Sequence, residues 1–378
     1  MSEWKTYKWG DLISLEYGKP IPDKNLLDGQ YPVYGTNGRI GTSNLTPLCK
    51  HPSIIVGRKG AYRGVHYSNK PFSVIDTAFF IEPKTSILDL KWAYYKLLTV
   101  DINKMDSRSA IHSTDRYEIY SLSVELPPLE EQQRIAGILG SLDDKIELNR
   151  RINANLEAQA QALFQSWFVD FEPFRDGPFV DYQLGKIPQG WKVEALSNLA
   201  TVIKKGITPS NAETYSHYSI PAYDDAHFPE KQSGETIKSG KYIVYNNSIL
   251  LSKLNPRIKR LWFIKTAEEN AICSTEFIPI QTKDTDLISF VYYLIDNDIF
   301  YQHALSLVNG ATGSHQRFHA EDIMQIPFAW NKDAAIDFAQ KANYILQKIE
   351  DNIRENQTLS ALRDTLLPKL MAGEINIE

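Results

Sequence analysis

Apolar residues recur every three or four positions along two stretches of this chain. In the first, Ile135, Ile138, Leu139, Leu142, Ile146, Ile152, Leu156 and Leu163 mark one face, interrupted by Asn149. In the second, Ile345, Ile349, Ile353, Leu359, Leu362, Leu366 and Leu370 do the same, interrupted by Asn356. That spacing predicts two long amphipathic helices with a stripe close to a coiled-coil seam. Pro127 and Pro128, followed by Glu130 and Glu131, suit the start of the first helix. A helix of ~40 residues is about 60 Å long, longer than a domain of this size is wide. The two matched stripes are therefore expected to pack on each other as an antiparallel coiled coil. Asn149 and Asn356 then fall at equivalent seam positions, where a buried polar side chain fixes register at a cost in stability. Elsewhere, short apolar runs such as SIIVG, SVIDTAFFI, YIVY and SILLS are punctuated by Gly, Pro and Asn. These predict strands and turns. Helical tracts around 89–99 and 286–295 make the globular parts α+β.

The same order of features occurs twice. WKTYKWGDLISLEYGKPIP (4–22) matches WKVEALSNLATVIKKGITP (191–209), and SIIVGRKGAYRGVHY (53–67) matches SILLSKLNPRIKRLWF (248–263). DLKWAYYKL (89–97) matches DLISFVYYL (286–294), and SAIHSTDRYEIYSLSV (109–124) matches TGSHQRFHAEDIMQIPF (312–328). ILGSLDDKIELN (138–149) matches ILQKIEDNIREN (345–356) at an offset of 207, while the first match lies at 187. Five weak matches in one order, with a slowly drifting offset, define an internal repeat. The expected organisation is a globular domain at 1–128, a helix at 129–170, a linker and second globular domain at 171–332, and a second helix with its tail at 333–378.

Charge changes this picture locally. The net charge of -5 alone argues mildly against nucleic acid. Yet Lys50, Arg58, Lys59, Arg63 and Lys70 fall in a stretch without acids, as do Lys253, Arg257, Lys259, Arg260 and Lys265. Such clusters, and not the total, make an electrostatic footprint. Cys49 and Cys273 are far apart, with no partner read at ligand spacing, so neither a disulfide framework nor a zinc site is expected. No apolar run is long enough to span a bilayer and the start shows no signal peptide. The expected location is the cytoplasm, with no membrane partner.

No Walker A loop, Asp/Asn-Pro-Pro-aromatic tetrapeptide, Gly-x-Ser-x-Gly elbow or His-Glu-x-x-His helix is present. Asp76 with Glu82, Pro83 and Lys84 resembles the acid pair plus lysine of metal-dependent nucleases, but the second copy has no acid at either place. The chain is therefore read as non-catalytic, with no catalytic or metal-binding residues. A metal-dependent nuclease and a non-DNA coiled-coil scaffold remain the alternative readings.

The loops carry a binding reading. GRKGAYRG pairs with SKLNPRIKR, and MDSRSAIHSTDRY pairs with NGATGSHQRF. Glycine lets backbone approach a ligand, Arg and Lys meet phosphate, and Arg reads guanine edges. In the first copy the candidate DNA contacts are Asn37, Arg39, Arg58, Lys59, Tyr62, Arg63, Arg108, Ser109, His112 and Arg116. In the second they are Lys205, Lys253, Asn255, Arg257, Lys259, Thr312, Ser314, His315 and Arg317. The scaffolds match while these loops differ, as two readers of two different short sequences would.

LPPLEEQQRIAGILGSLDDKIELNRRIN, LFQSWFVDFEPF, LGKIPQGWKV and LRDTLLPKLMAGEI resemble the specificity subunit of type I restriction–modification enzymes. The resemblance implies two target recognition domains, each reading one half of a bipartite, asymmetric site in double-stranded DNA. It implies that the two helices act as a spacer and dock two modification subunits, which methylate adenine with S-adenosylmethionine. Restriction subunits would add ATP- and Mg-dependent translocation and cleavage. No cofactor is then expected in this chain. One departure stands out: NKDAAIDFAQ replaces the Pro-Pro-Leu-Glu-Glu-Gln start in the second helix, leaving that start open.

Overall fold

The computed structural model describes residues 4–22, 29–105, 112–182, 185–308 and 316–375. The chain forms two compact units: residues 1–145 with 359–378, and residues 146–358. Both boundaries fall inside the long helices, which run Leu129–Phe168 and Lys332–Met371. Each unit takes a segment of both helices into its own core.

In the first unit an antiparallel sheet orders Ile13–Tyr17, Ala78–Pro83, Ser53–Gly57 and Val65–Ser68 side by side. The SIIVG run is buried at every position, as expected of a central strand. Helix Leu90–Leu98 covers the sheet. Its N-cap is Asp89, whose carboxylate accepts from the Trp92 amide at 2.8 Å. Trp9, Leu15, Ile54, Phe79, Ile81 and Trp92 form the core. Ile135, Ala136 and Leu139 of the first long helix and Leu370 and Met371 of the second complete it. Lys5–Lys8 pairs with Ser123–Leu126, closing the domain near its ends. A second small sheet joins Tyr31–Gly35 to Gly38–Ser43 and Ser73–Val74.

The second unit repeats the plan. Ala200–Val202, Phe277–Thr282, Ser248–Ser252 and Leu261–Ile264 form the matching four-stranded sheet, and Lys192–Ala195 pairs with Pro327–Trp330 as the closing ribbon. Helix Ile288–Asp296 takes the place of Leu90–Leu98 and is buried along its whole length. A five-stranded sheet built on Thr214–Tyr218 enlarges this copy. The linker of the LFQSWFVDFEPF motif folds into an aromatic cluster. Phe168 packs against Phe164, Trp191, Phe290 and Phe338 at ring separations of 4.9 to 5.6 Å. Phe164, Phe168 and Phe338 belong to the long helices, so this cluster roots both of them in the second domain.

The long helices are antiparallel within each unit. In the second unit Asn149 is fully buried, and its amide donates to Asn356 Oδ1 at 3.0 Å and Glu355 Oε2 at 2.7 Å. Four residues on in one helix and four back in the other, Asn352 donates to Asn153 Oδ1 at 2.7 Å. The predicted seam position is thus a polar rung, with a second rung beside it. In the first unit Arg363 donates to Asp143 Oδ1 at 2.8 Å, and Tyr95 donates to Asp143 Oδ2 at 2.6 Å. Gln132 of LEEQQ is buried and donates to the carbonyls of Ile87 and Pro127 while accepting from the Asp89 amide. The acids and amides of these motifs therefore tie helix to domain. The start of the second helix is set by Asn331, whose side chain accepts from the amides of Asp333 and Ala334 at 3.0 and 3.1 Å. Among the described residues no helix is long and apolar enough to cross a membrane.

Candidate nucleic-acid interface

Three loops converge in the first unit. Lys59 bridges to Ser113, the Gly60 amide donates to His112 O at 3.0 Å, and the Thr114 amide donates to Arg58 O at 2.8 Å. The Thr36 hydroxyl lies 2.8 Å from Lys59 O and 2.7 Å from Thr77 O, which brings in the turn carrying Asn37. Gly57 makes this approach possible, because a Cβ there would sit 2.8 Å from Thr36 O. Gly60 adopts a φ of 124°, open to glycine but strained for other residues.

On this platform Arg58 lies 4.8 Å from the Tyr17 ring centroid and Arg116 lies 5.2 Å from it. Two guanidinium groups therefore share one tyrosine, which is 47% exposed. Arg58 spends one nitrogen on Asp76 O at 3.0 Å, and Lys59 pairs with the Asp76 carboxylate at 3.2 Å. Tyr62 and Tyr117 are 68% and 64% exposed, flat faces of the kind on which a base or sugar packs. Asn37 and Arg39 are exposed on the neighbouring hairpin, and His112 is exposed beside them.

The second unit uses the same joint with different residues. Leu254 bridges to Arg317 and the Phe318 amide donates to Lys253 O at 3.2 Å, matching the Lys59–Ser113 bridge and the Thr114–Arg58 bond. Asn255 takes a left-handed φ of 48° at the head of the turn that presents Arg257, which is exposed. Arg317 forms a two-pronged pair with Glu276 at 3.0 and 3.3 Å. An exposed pair of this kind is worth about 0–1 kcal/mol, so a phosphate can replace the carboxylate. Lys205 is exposed at the end of the five-stranded sheet. The neighbouring Lys204 pairs with Glu321 at 3.4 Å.

Two expected contacts are corrected. Arg63 is 2% exposed, and its guanidinium points inward to the carbonyls of Ile102, Asn103 and Met105. Spacing within GRKGAYRG suggested two surface arginines; only Arg58 is one. Lys259 is bonded to Asp296 Oδ1 at 2.9 Å and to Asp296 O, with Asp298 at 3.6 Å. It anchors the loop to helix Ile288–Asp296, its charge already met by two carboxylates. Arg108, Ser109, Thr312, Ser314 and His315 lie outside the described residues.

Beside Lys259 the second unit holds two acids close together. Burial first, and then the Asp296 charge, push the Glu157 carboxyl up from 4.5 to about 7, although Tyr293, Lys259 and Tyr292 favour its ionised form. The unfolded chain ionises this group near 4.5 and the folded chain near 7. The native state therefore holds the proton more tightly, and stability falls as pH rises through that window. Thermal melts of the wild type and Glu157→Gln should diverge from pH 5 to pH 8, with the variant the less sensitive. Parallel curves would remove Glu157 as the cause.

Residues 1–158 match the family model described as the type I restriction modification DNA specificity domain. The HindI specificity subunit of Haemophilus influenzae is 28% identical over 476 residues, covering 99% of this chain and all of that protein. Along its whole length the chain is thus similar to type I restriction–modification specificity subunits. The MjaIX specificity subunit of Methanocaldococcus jannaschii is 26% identical over 326 residues, covering 79% of this chain and 72% of its own. A crystal structure of the type I system S subunit from M. genitalium shares the fold, with a TM-score of 0.62 at 16% identity over 98% of this chain and 96% of that one.

Other residues at this interface escaped the sequence pattern. Tyr17 stood in the sequence only as part of the repeated run 4–22, in LEYGK. The nuclease-like trio is dispersed: Asp76 pairs with Lys59, Glu82 with His51 at 2.8 Å, and Lys84 donates to Gly10 O at 2.7 Å. The expectation that Cys49 lacks a partner at ligand spacing is also corrected. His51 stands two residues away, and the ligand atoms of Cys49, His51 and Glu82 lie within 4.8 Å of one another.

Proposed function

We propose that this chain is the DNA-recognition subunit of a type I restriction–modification complex, reading a bipartite, asymmetric site with one domain per half-site. One observation carries the reading: both units join a basic loop to a distal loop by an equivalent isolated bridge, Lys59 to Ser113 and Leu254 to Arg317, yet present different side chains there. Arg58, Arg116 and Tyr17 face one half-site, and Lys253, Arg257 and Arg317 the other. The chain is non-catalytic. Two modification subunits supply S-adenosylmethionine and methyl transfer, and restriction subunits supply ATP- and Mg-dependent chemistry. The expected location is the cytoplasm. The long helices are the docking surface for the modification subunits.

Methylome sequencing of a host expressing this chain with its modification partner tests the assignment. The wild type should yield one bipartite motif. Arg58→Ala should relax or weaken one half, and Arg257→Ala the other, each at a cost of about 1–3 kcal/mol if the contact is bidentate to a base. Loss of preference at both halves from either substitution would contradict one domain per half-site. Binding of the complex to duplex DNA should weaken steeply with salt, and each lost phosphate contact should lower the slope by about one. A salt-independent interaction would favour a scaffold.

A further inference from the structure

We propose that Cys49, His51 and Glu82 form a zinc-binding site in the first domain, with water as the fourth ligand. The Cys49 sulfur lies 3.8 Å from His51 Nε2, and His51 Nε2 lies 2.8 Å from Glu82 Oε2. Ordinary Zn–S, Zn–N and Zn–O lengths in a tetrahedron put the sulfur and nitrogen about 3.6 Å apart and the nitrogen and oxygen about 3.4 Å apart. Seating an ion therefore needs a small outward swing of the Glu82 carboxylate, which is 40% exposed and free to make it. His51 Nδ1 faces Pro52 O at 3.0 Å. A proton on Nδ1 leaves the Nε2 lone pair for the metal, the usual orienting arrangement behind a histidine ligand. A thiolate, an imidazole and one carboxylate select a borderline-soft ion such as Zn²⁺ over Mg²⁺ or Ca²⁺.

The internal repeat supplies a control. Cys49 bonds through its backbone to Phe72, and in the second domain Val244 donates to Ala271 O at the same place in the fold, each at 3.0 Å. Counting along strands Ser53–Gly57 and Ser248–Ser252 sets His51 opposite Asn246, and the sheet registers set Glu82 opposite Gln281. There the Gln281 amide donates to Asn246 O at 3.1 Å. The second domain thus carries Val244, Asn246 and Gln281 at the three equivalent positions, with the Gln281 side chain bonded to the Asn246 backbone carbonyl. The fold needs no thiol, imidazole or carboxylate here, yet the first domain places all three together. A zinc ion would staple the segment entering strand Ser53–Gly57 to the end of strand Ala78–Pro83.

The test uses the full chain, freed of metal and titrated with Zn²⁺ and with Co²⁺ as a spectroscopic probe. One equivalent should bind, the Co²⁺ form should show tetrahedral and thiolate charge-transfer absorption, and Zn²⁺ should raise the melting temperature. Cys49→Val, His51→Asn and Glu82→Gln together install the second domain's own residues, so the fold should survive. Affinity should fall by more than the roughly 10–100-fold that losing a supporting contact costs. Glu82→Gln alone should weaken binding and keep the charge-transfer band. The proposal fails if no stoichiometric ion binds, if the Co²⁺ spectrum lacks thiolate character, or if the triple variant binds as tightly as the wild type.

Discussion

Arg63→Ala should lower the melting temperature of the chain by on the order of 10 °C and leave both half-site preferences intact. The guanidinium is buried, and Nη2 lies 3.2, 2.9 and 3.4 Å from the carbonyls of Ile102, Asn103 and Met105. Asn103 closes the joint from the other side, its side chain accepting from the Arg63 amide at 2.8 Å and donating to Arg63 O at 3.2 Å. Alanine removes the donors, strands buried acceptors and opens a cavity. Together these cost about 3–5 kcal/mol. In a domain of this size 1 kcal/mol moves the midpoint by roughly 2–4 °C. Nε and Nη1 have no hydrogen-bond partner among the described residues, so the native charge is itself imperfectly accommodated. Arg63→Met keeps the volume, removes that charge and should lose clearly less. An Arg63→Ala protein with an unchanged melt and a relaxed half-site would return Arg63 to the reading surface.

The contrast between Arg63 and Arg58 marks the limit of what the sequence shows. Both lie in one basic, glycine-rich run, and composition treats them alike. Which of the two turns inward depends on the strand pairing of Val56 with Val65 and on the carbonyls at 102–105, contacts far apart in the chain. Features that repeat or follow helical period were legible: the two long helices, the twofold plan of the domains, and Asn149 facing Asn356. The role of Lys259 was not, because its partners Asp296 and Asp298 lie beyond the basic run. Cys49 and His51 form a Cys-x-His pair visible in the sequence; only Glu82, across the sheet, required the fold. The sharing of each long helix between two cores was not legible for a related reason. An amphipathic stripe shows that a helix packs, but not that Ile135 and Leu139 face one core while Phe164 and Phe168 face another.

Asn149→Asp should cost about 3–5 kcal/mol near pH 8 and much less near pH 4. The native amide donates both to Glu355 Oε2 and to Asn356 Oδ1. A carboxylate would set acceptor against acceptor in a fully buried position. Burial and the Glu355 charge would raise the introduced carboxyl above its ordinary value near 3.9. A raised acid is stabilised in its protonated form, so the penalty grows as pH climbs from about 4 to the folded value and is complete above it. Asn149→Leu should instead give a smaller loss at every pH, because it removes donors without adding charge. Equal losses for the two variants across this range would show that the position does not act through its polarity. The second rung explains why one amide does not act alone. Sliding the second helix by one heptad would set Asn149 opposite Ile349 and Asn352 opposite Ile146, leaving two buried amides unpaired at about 1–3 kcal/mol each. A helix pair held by apolar contacts alone tolerates such a slip. Asn149 with Asn356 and Asn153 with Asn352 make one register lower in free energy than its neighbours, so the double variant Asn149→Leu, Asn352→Leu should be the one that populates more than one register.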